Sequence, residues 1–204
     1  HTTLFFLVDG GDPRDSRFSL HQSPYTDKVK WWQQQGFHCG LHPSYRSSDT
    51  PDLLRKEQQL LERTIGPVTR SRQHYLRYRL PDTFRTLLDL GIQREYSTAF
   101  NHRTGFRTRI ARPYPWFDLQ RNAPTDLTIV PAVAMDRTFL QYLQLDPDAA
   151  LAHFRELLAW TQERGSHFVL ILHNETFAES GEWQGWRPLI RTMVAELKHY
   201  AGTI

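Results

Sequence analysis

Two histidines four residues apart, His38 and His42, lie in the segment 36–45, which reads GFHCGLHPSY. Imidazole nitrogen is a common ligand of divalent metals. Along an extended strand the two residues would be about 13 Å apart, too far to share one ion. We therefore predict that the chain turns between them, because Gly40 tolerates a turn and Pro43 fixes its exit. The spacing alone also fits two histidines bonded to loop carbonyls.

More polar residues lie in or at the ends of the other apolar segments of the chain. They are Arg72, His74, Glu95, Asp136, His173 and Asn174. The carboxyl ends of parallel strands meet at one edge of a sheet, and ligands bind there in α/β folds. Several histidines with nearby carboxylates at such an edge favour a functional site.

The apolar pattern alternates between segments of strand length and segments of helix length. The predicted strands are 3–8, 37–42, 68–75, 92–100, 127–136 and 166–174. The predicted helices are 23–36, 49–66, 80–91, 146–165 and 185–200, and residues 101–126 are expected to form an irregular excursion. This alternation predicts an α/β fold with parallel strands and outer helices, either an open sheet or an incomplete (β/α) barrel. We expect one domain over residues 1–204.

The composition excludes some classes of protein. The chain has 204 residues, is 39% hydrophobic and contains one cysteine, so it has no internal disulfide. It shows no apolar run long enough to span a bilayer and no signal-peptide pattern, which leads us to expect a cytoplasmic protein. The net charge of +3 does not by itself suggest nucleic acid. Ten arginines lie between Arg70 and Arg112; they could face an anionic ligand or simply favour solubility.

The order of four segments, TLFFLV, GFHCGLHPSY, SRQHY and LILHN, resembles a divergent polysaccharide deacetylase (NodB-homology) domain of carbohydrate esterase family 4. The resemblance implies an incomplete (β/α)7-barrel-like fold. It implies a divalent metal, usually zinc, held by His38 and His42, with Arg72 as the motif arginine and His173 as general acid. Glu95 best matches the family's orienting aspartate, with Asp136 as a rival.

The chain also departs from the family pattern at two places. The segment SRQHYL lacks the proline of the family's RxPY motif. In that family a backbone N–H of the motif stabilises the oxyanion, and the resemblance assigns this role to Tyr75. The family's Asp-Asp motif belongs on a strand before TLFFLV, so we expect an N-terminally truncated domain that lacks the catalytic base. Asp9 and Asp12 could substitute for that motif, or their segment, DGGDP, could form a turn.

The resemblance implies a metal-dependent hydrolase that removes an acyl group, N-acetyl in the first instance, from a carbohydrate. Tyr114, Trp116 and Phe117 could stack on sugar rings or pack the excursion onto the fold. Arg112 and its neighbouring arginines would favour an acidic glycan. The alternatives are a non-catalytic carbohydrate-binding or scaffold domain and, third, an arginine-driven nucleic-acid binder.

A strand missing from the fold would leave two edges without a partner. We expect either a gap between residues 3–8 and 168–173 or direct pairing of those two strands, with the gap favoured by the strand order of the family. Direct pairing would instead favour the non-catalytic alternative. The sequence does not determine the oligomeric state, the glycan, the acyl group or the metal.

Overall fold

The computed structural model describes residues 2–9, 11–15 and 19–201. The chain divides into two compact units. The first contains His1–Ser97 and Tyr114–Val130, and the second contains Thr98–Pro113 and Pro131–Ile204. No helix in the described ranges is long and apolar enough to cross a membrane.

Unit 1 is built on a six-stranded sheet with the order β1-β2-β3-β4-β6-β5. Its strands are β1 (Thr3–Leu7), β2 (His38–His42), β3 (Arg70–Ser71), β4 (Arg94–Glu95), β5 (Tyr114–Asp118) and β6 (Ala123–Ile129). Its helices are α1 (Ser23–Gln34), α2 (Pro51–Ile65) and α3 (Asp82–Asp89). All neighbouring strands are parallel except β5 and β6. The predicted α/β class with mostly parallel strands and helices between them is therefore confirmed.

The helices of unit 1 begin and end where local sequence signals predict. Pro51 occupies the first turn of α2, where a missing backbone N–H costs nothing. Gly66 follows the last turn of the same helix with a φ of +80°, a conformation that residues with a Cβ avoid. Leu54, Leu61 and Ile65 on the buried face of α2 pack into the core of unit 1.

Gly40 does not make the predicted turn, because β2 runs without interruption from His38 to His42. Its neighbours explain why it is a glycine. A Cβ at Gly40 would lie 2.7 Å from the Phe5 ring and 3.0 Å from the carbonyl oxygen of Arg70. Gly40 is therefore required for close packing between neighbouring strands, and the expectation of a turn was wrong.

The segment predicted to be an irregular excursion contains regular structure. β5 and β6 form an antiparallel hairpin, in which Tyr114 pairs with Ile129 and Asp118 with Ala123. Trp116 faces the core and Phe117 faces outward, the alternation expected of a strand with one buried face. Three prolines and several arginines in residues 101–126 concealed that alternation.

Unit 2 contains two short parallel strands, β7 (Ala134–Met135) and β8 (Leu170–Ile171). Two helices, α4 (Pro147–Glu163) and α5 (Trp186–Ala201), surround a core that includes Phe139, Phe154, Ile190 and Met193. A π-helix, Thr138–Tyr142, follows β7 and was not predicted. The predicted strand 127–136 is divided into β6 and β7, because the chain passes from unit 1 to unit 2 after Val130.

β1 and β8 belong to different sheets. Among the described strands, β1 pairs with β2 alone and β8 pairs with β7 alone. Direct pairing between residues 3–8 and 168–173, the second of the two expected arrangements, is therefore wrong. The predicted gap stays a prediction.

A buried ion pair stabilises the β5–β6 hairpin against α3. The Arg85 guanidinium donates two hydrogen bonds, of 2.7 and 2.8 Å, to the Asp118 carboxylate, which is 1% exposed. The backbone N–H groups of Gln120 and Arg121 also donate to it. These interactions, chiefly the one with Arg85, hold the pKa of Asp118 below its usual value despite burial.

We predict that Asp118→Ala lowers the free energy of unfolding by about 2–4 kcal/mol, because it leaves the Arg85 charge and two backbone donors without their acceptor. Since the folded-state pKa of Asp118 is depressed, this contribution is present above the usual pKa of the carboxyl and is lost as the pH falls. Chemical denaturation at pH 7 measures the loss. Asp126→Ala, at an exposed position of the same hairpin, is the control, with an expected change within about 0.5 kcal/mol. Equal losses in the two variants would contradict the assignment.

Candidate functional site

His42 lies at the carboxyl end of β2 and contacts the chain that follows β3. Its Nδ1 is 2.5 Å from the carbonyl oxygen of Arg72. A carbonyl only accepts, so His42 Nδ1 carries the hydrogen and Nε2 presents its lone pair. The ring of His74 stands edge-on to that of His42, with ring centroids 4.9 Å apart. Two imidazoles from neighbouring strand ends therefore lie side by side.

Asp15 orients the second imidazole. Its Oδ1 lies 2.9 Å from His74 Nδ1 and also accepts a hydrogen bond from the backbone N–H of Tyr45. The Asp15 side chain is 1% exposed. A carboxylate at Nδ1 fixes the orientation of the ring, as is common at metal-binding histidines.

His38 does not take part in this pair. It begins β2, opposite Thr3, while His42 ends the strand opposite Leu7. Residues four apart in a continuous strand are separated by about 13 Å. The prediction that His38 and His42 share one ion through a turn is therefore wrong. Arg70, through its charge, lowers the pKa of the exposed His38 ring.

Sequence reasoning placed His74 at a strand end but assigned it no role, and it missed Asp15. The available signal was position. His74 follows β3 by three residues and His42 ends β2, so parallel pairing of the two strands brings these residues together. No comparable signal marks Asp15, which lies in the loop after β1.

The donor types fit only part of a metal site. Two imidazoles and a carboxylate are ligands that zinc accepts. Nevertheless, within residues 2–9, 11–15 and 19–201, no three His, Cys, Asp or Glu side chains converge closely enough to hold an ion together. The described residues thus offer two neighbouring imidazoles and no complete set of protein ligands.

Asp9 and Asp12 do not supply the missing carboxylate at this pair. The Asp12 carboxylate binds the guanidinium groups of Arg14 and Arg46, and Arg14 holds its pKa well below the usual range. Asp9 lies 3.9 Å from His21 Nε2. Gly10, within the segment predicted as a turn, is outside the described residues.

Arg72 follows β3 and stacks on an aromatic ring of β1. Its guanidinium carbon lies 4.4 Å from the centroid of the Phe5 ring. The charge of Arg72 also acts on Glu95, which ends β4 and is fully buried. Glu95 thus lies close enough to Arg72 to respond to its charge, and burial keeps the Glu95 carboxyl away from solvent.

A buried hydrogen-bond network holds Glu95. Its two carboxyl oxygens pair with the backbone N–H and the hydroxyl of Ser97. The Ser97 hydroxyl also accepts a 2.7 Å hydrogen bond from the backbone N–H of Gln73. Burial raises the pKa of Glu95 to about 7, against the lowering effect of the Ser97 hydrogen bonds.

We predict that Glu95→Gln stabilises unit 1 at high pH. A carboxyl whose folded-state pKa is raised favours the folded state most at low pH, and this contribution is lost as the pH rises from about 4.5 to about 7. Glutamine does not titrate, so relative to the wild type the variant should gain up to about 3 kcal/mol between pH 5 and pH 8. Thermal unfolding over that pH range measures the difference. The control Glu163→Gln, at an exposed position, should show no pH-dependent gain in stability. If Glu95→Gln also showed no such gain, the raised pKa of the buried Glu95 carboxyl would be contradicted.

Unit 2 holds a third oriented imidazole, that of His173, two residues after β8. Its Nδ1 lies 2.7 Å from Oδ1 of the fully buried Asp136. The other oxygen of Asp136 accepts hydrogen bonds from the backbone N–H of His173 and the hydroxyl of Thr176. Burial raises the pKa of Asp136, but the His173 and Thr176 interactions outweigh it, and the net pKa lies below the usual value. An ionised carboxylate therefore keeps the proton on Nδ1, and Nε2 is the nitrogen that can exchange a proton.

The four predicted substrate-binding residues have different environments. Trp116 is 8% exposed and packs edge-on against Phe84, so it is a core residue and the prediction that it stacks on a sugar is wrong. Tyr114 is half-buried against the same core. Arg112 is exposed, in unit 2. Phe117 is exposed on the outer face of the hairpin.

Tyr75 lies beside the imidazole pair. Its ring is 61% exposed and contacts the rings of His74 and Tyr45, with centroid distances of 4.7 and 5.5 Å. The backbone of Tyr75 has a φ of +57°, an uncommon conformation for a bulky residue. Strained residues of this kind concentrate at functional sites.

The comparisons with known proteins support the fold. A crystal structure of a protein from Mycobacterium smegmatis, described provisionally as a polysaccharide deacetylase, matches 85% of this chain with a TM-score of 0.59 and 16% sequence identity. The match covers 61% of that protein, so this chain spans less than two thirds of its length. No protein-family profile and no curated protein sequence matches the chain. The likeness at this identity concerns the fold alone, and it confirms the predicted polysaccharide-deacetylase-like fold class.

Proposed function

We propose that this chain belongs to a metal-dependent hydrolase that removes an acyl group, N-acetyl in the first instance, from a carbohydrate. The observation that carries the proposal is the His42–His74 pair, whose rings lie side by side at neighbouring strand ends with both Nδ1 atoms engaged by oxygen acceptors. The fold it shares with a provisionally described polysaccharide deacetylase supports the substrate class.

In this proposal the metal, zinc in the first instance, is held by His42 and His74, and not by His38. A divalent metal there would polarise the acyl oxygen and lower the pKa of a bound water. Asp15 holds the His74 ring through Nδ1, and the Arg72 carbonyl holds the His42 ring in the same way. Both rings are thereby oriented before any ligand binds, which reduces the entropy lost on binding.

His173 is the proposed general acid. Removal of an acyl group from an amide requires a proton on the leaving amine, and an imidazole supplies it near neutral pH. Asp136 fixes the ring with the proton on Nδ1, so that Nε2 is the nitrogen that delivers the proton. Glu95 and Arg72 act as positioning residues for the strand ends of unit 1.

Tyr75 is the proposed sugar-binding residue of unit 1. An exposed aromatic ring beside a catalytic pair can stack on the apolar face of a sugar ring, burying surface from both. Its contacts with His74 and Tyr45 restrict the ring to one orientation. The exposed Arg112 of unit 2 would favour an acidic glycan.

We expect His42→Ala and His74→Ala each to lower the zinc content of the purified protein and to reduce the release of acetate from N-acetylglucosamine oligosaccharides by at least about 100-fold, because one imidazole cannot hold the metal in place. His38→Ala is the matched control and should retain both. Elemental analysis and an acetate assay give the two readouts. If His38→Ala lost its zinc while His74→Ala retained it, the His42–His74 pair proposed here would be refuted. The ligand pair expected from the sequence, His38 and His42, would then be favoured.

The experiment also separates the catalytic proposal from its alternative. A non-catalytic carbohydrate-binding domain would bind the oligosaccharides without releasing acetate, and substitution of the imidazoles would leave that binding unchanged. The observation that favours this alternative is that no three metal-ligating side chains converge in the described part of the chain.

His173→Ala is expected to reduce kcat by about 100- to 10,000-fold, the usual contribution of a general acid. Asp136→Asn should reduce kcat less, because the His173 ring loses the carboxylate that keeps the proton on Nδ1 but keeps the nitrogen that delivers the proton. The profile of acetate release against pH measures both effects. His167→Ala, at an exposed position of the same unit, should keep the wild-type profile. Wild-type turnover in His173→Ala would refute the role.

A further inference from the structure

The sheet of unit 1 has one apolar face and one polar face. Residues on the apolar face, among them Leu41, Leu127 and Ile129, pack into the core of the unit. Because side chains alternate along a strand, the residues next to these in sequence lie on the other face. Across the sheet, that polar face carries Thr3 of β1, His38 of β2, Arg70 of β3, Arg94 of β4 and Thr128 of β6.

Two arginines of the polar face are direct partners in the parallel ladder. Arg70 begins β3 opposite Arg94, which begins β4. Neighbouring strands lie about 4.8 Å apart, and like charges on directly opposite residues repel each other. Arginine stays protonated in proteins, so neither residue can lose its charge to relieve the repulsion. The sheet thus holds two permanent positive charges where an anion would stabilise them.

Neither guanidinium group has a carboxylate partner in the part of the chain that the structure describes. The Arg70 side chain reaches across β2 and donates a 2.7 Å hydrogen bond to the Thr3 hydroxyl, and no described residue forms a salt bridge with Arg70 or Arg94. The residues outside the described ranges include no aspartate or glutamate. Asp126, two residues before Thr128, is the one acidic residue among the described strand positions of this face, and it too forms no salt bridge with them.

The His38 ring shows that both positive charges act at the beginning of β2. The charge of Arg70 is the main cause that lowers the pKa of His38, and the charge of Arg94 adds to the effect from two strands away. The ring is therefore uncharged at neutral pH and adds no third positive charge.

The charges and exposure of these residues favour a phosphate group as the ligand. His38 and Arg94 are exposed and Arg70 is half-buried, so a ligand can reach them from solvent. A guanidinium group presents a planar fork of N–H donors that matches the oxygens of a phosphate or a carboxylate. A phosphate monoester carries about −1.5 to −2 charges at pH 7, enough to balance both arginines, whereas a carboxylate carries a single charge.

We propose that the amino ends of β2, β3 and β4 form a phosphate-binding site, in which Arg70 and Arg94 bind the phosphate oxygens and the His38 ring lies beside them. The site is separate from the imidazole pair, because His38 and His42 lie at opposite ends of β2, about 13 Å apart. It does not depend on the proposed function. The phosphate is either the free ion or a group carried by a sugar, and binding experiments distinguish these sources.

Calorimetric titration of the whole chain with inorganic phosphate tests the site, with the ionic strength held constant by sodium chloride. We expect one saturable site. Arg70→Gln and Arg94→Gln should each weaken binding by about tenfold or more, because each removes hydrogen bonds between charged groups. Arg94→Lys keeps the charge but loses the fork, so it should weaken binding less. Arg55→Gln, at an exposed position of α2, is the matched control and should bind phosphate as the wild type does.

Arg94→Glu gives a second readout that needs no ligand. It places a carboxylate opposite Arg70, so it should abolish phosphate binding and raise the midpoint of chemical denaturation in phosphate-free buffer. Because Arg94 is exposed, the variant should fold, and circular dichroism checks this. A lower midpoint in Arg94→Glu than in the wild type would contradict the repulsion between the two arginines.

Two further results overturn the phosphate site. These are binding that does not saturate at constant ionic strength, and wild-type affinity in both Arg70→Gln and Arg94→Gln. Once the site is supported, glucosamine 6-phosphate identifies the source of the phosphate. Tighter binding of this sugar phosphate than of inorganic phosphate assigns the site to a phosphorylated sugar, and the opposite order assigns it to the free ion.

Discussion

The pairing of β2 with β3 is the interaction on which the candidate site depends. The backbone N–H of Arg72 donates to the carbonyl of Leu41, which extends the parallel ladder beyond the end of β3. That hydrogen bond brings the Arg72 carbonyl to Nδ1 of His42. A shift of one residue in this register would turn His42 to the other face of the sheet and remove the contact between the imidazoles.

Close packing on β1 keeps the two strands in this register. The Phe5 ring lies over Gly40, where a larger residue would not fit, and the Arg72 guanidinium stacks on the same ring. The hydrogen bonds between β2 and β3 thus fix the backbone of Arg72, and the Phe5 ring fixes the Arg72 side chain. Apolar packing and hydrogen bonding thus act together to hold Arg72, whose carbonyl oxygen contacts His42.

Buried carboxylates have two distinct effects in this protein. Asp15 and Asp136 each engage the Nδ1 of an imidazole, and this partner sets which nitrogen of His74 or His173 can act. Glu95 is held instead by hydrogen bonds with Ser97, and burial dominates, so the pKa of Glu95 rises. Asp15 and Asp136 each orient a proton carrier, whereas Glu95 stays a neutral structural acid over more of the pH range.

The sequence by itself determined the α/β class, the helices and the candidate strand ends. Caps and apolar periodicity are local, and Pro51 and Gly66 bound α2 through the backbone conformations they permit. The tertiary structure alone decided which side chains meet. Four residues of extended chain separate His38 from His42, whereas parallel pairing joins His42 to His74 across 32 positions of sequence. The physical reason is that contacts across a sheet depend on register between distant segments, which no local pattern of residue types specifies.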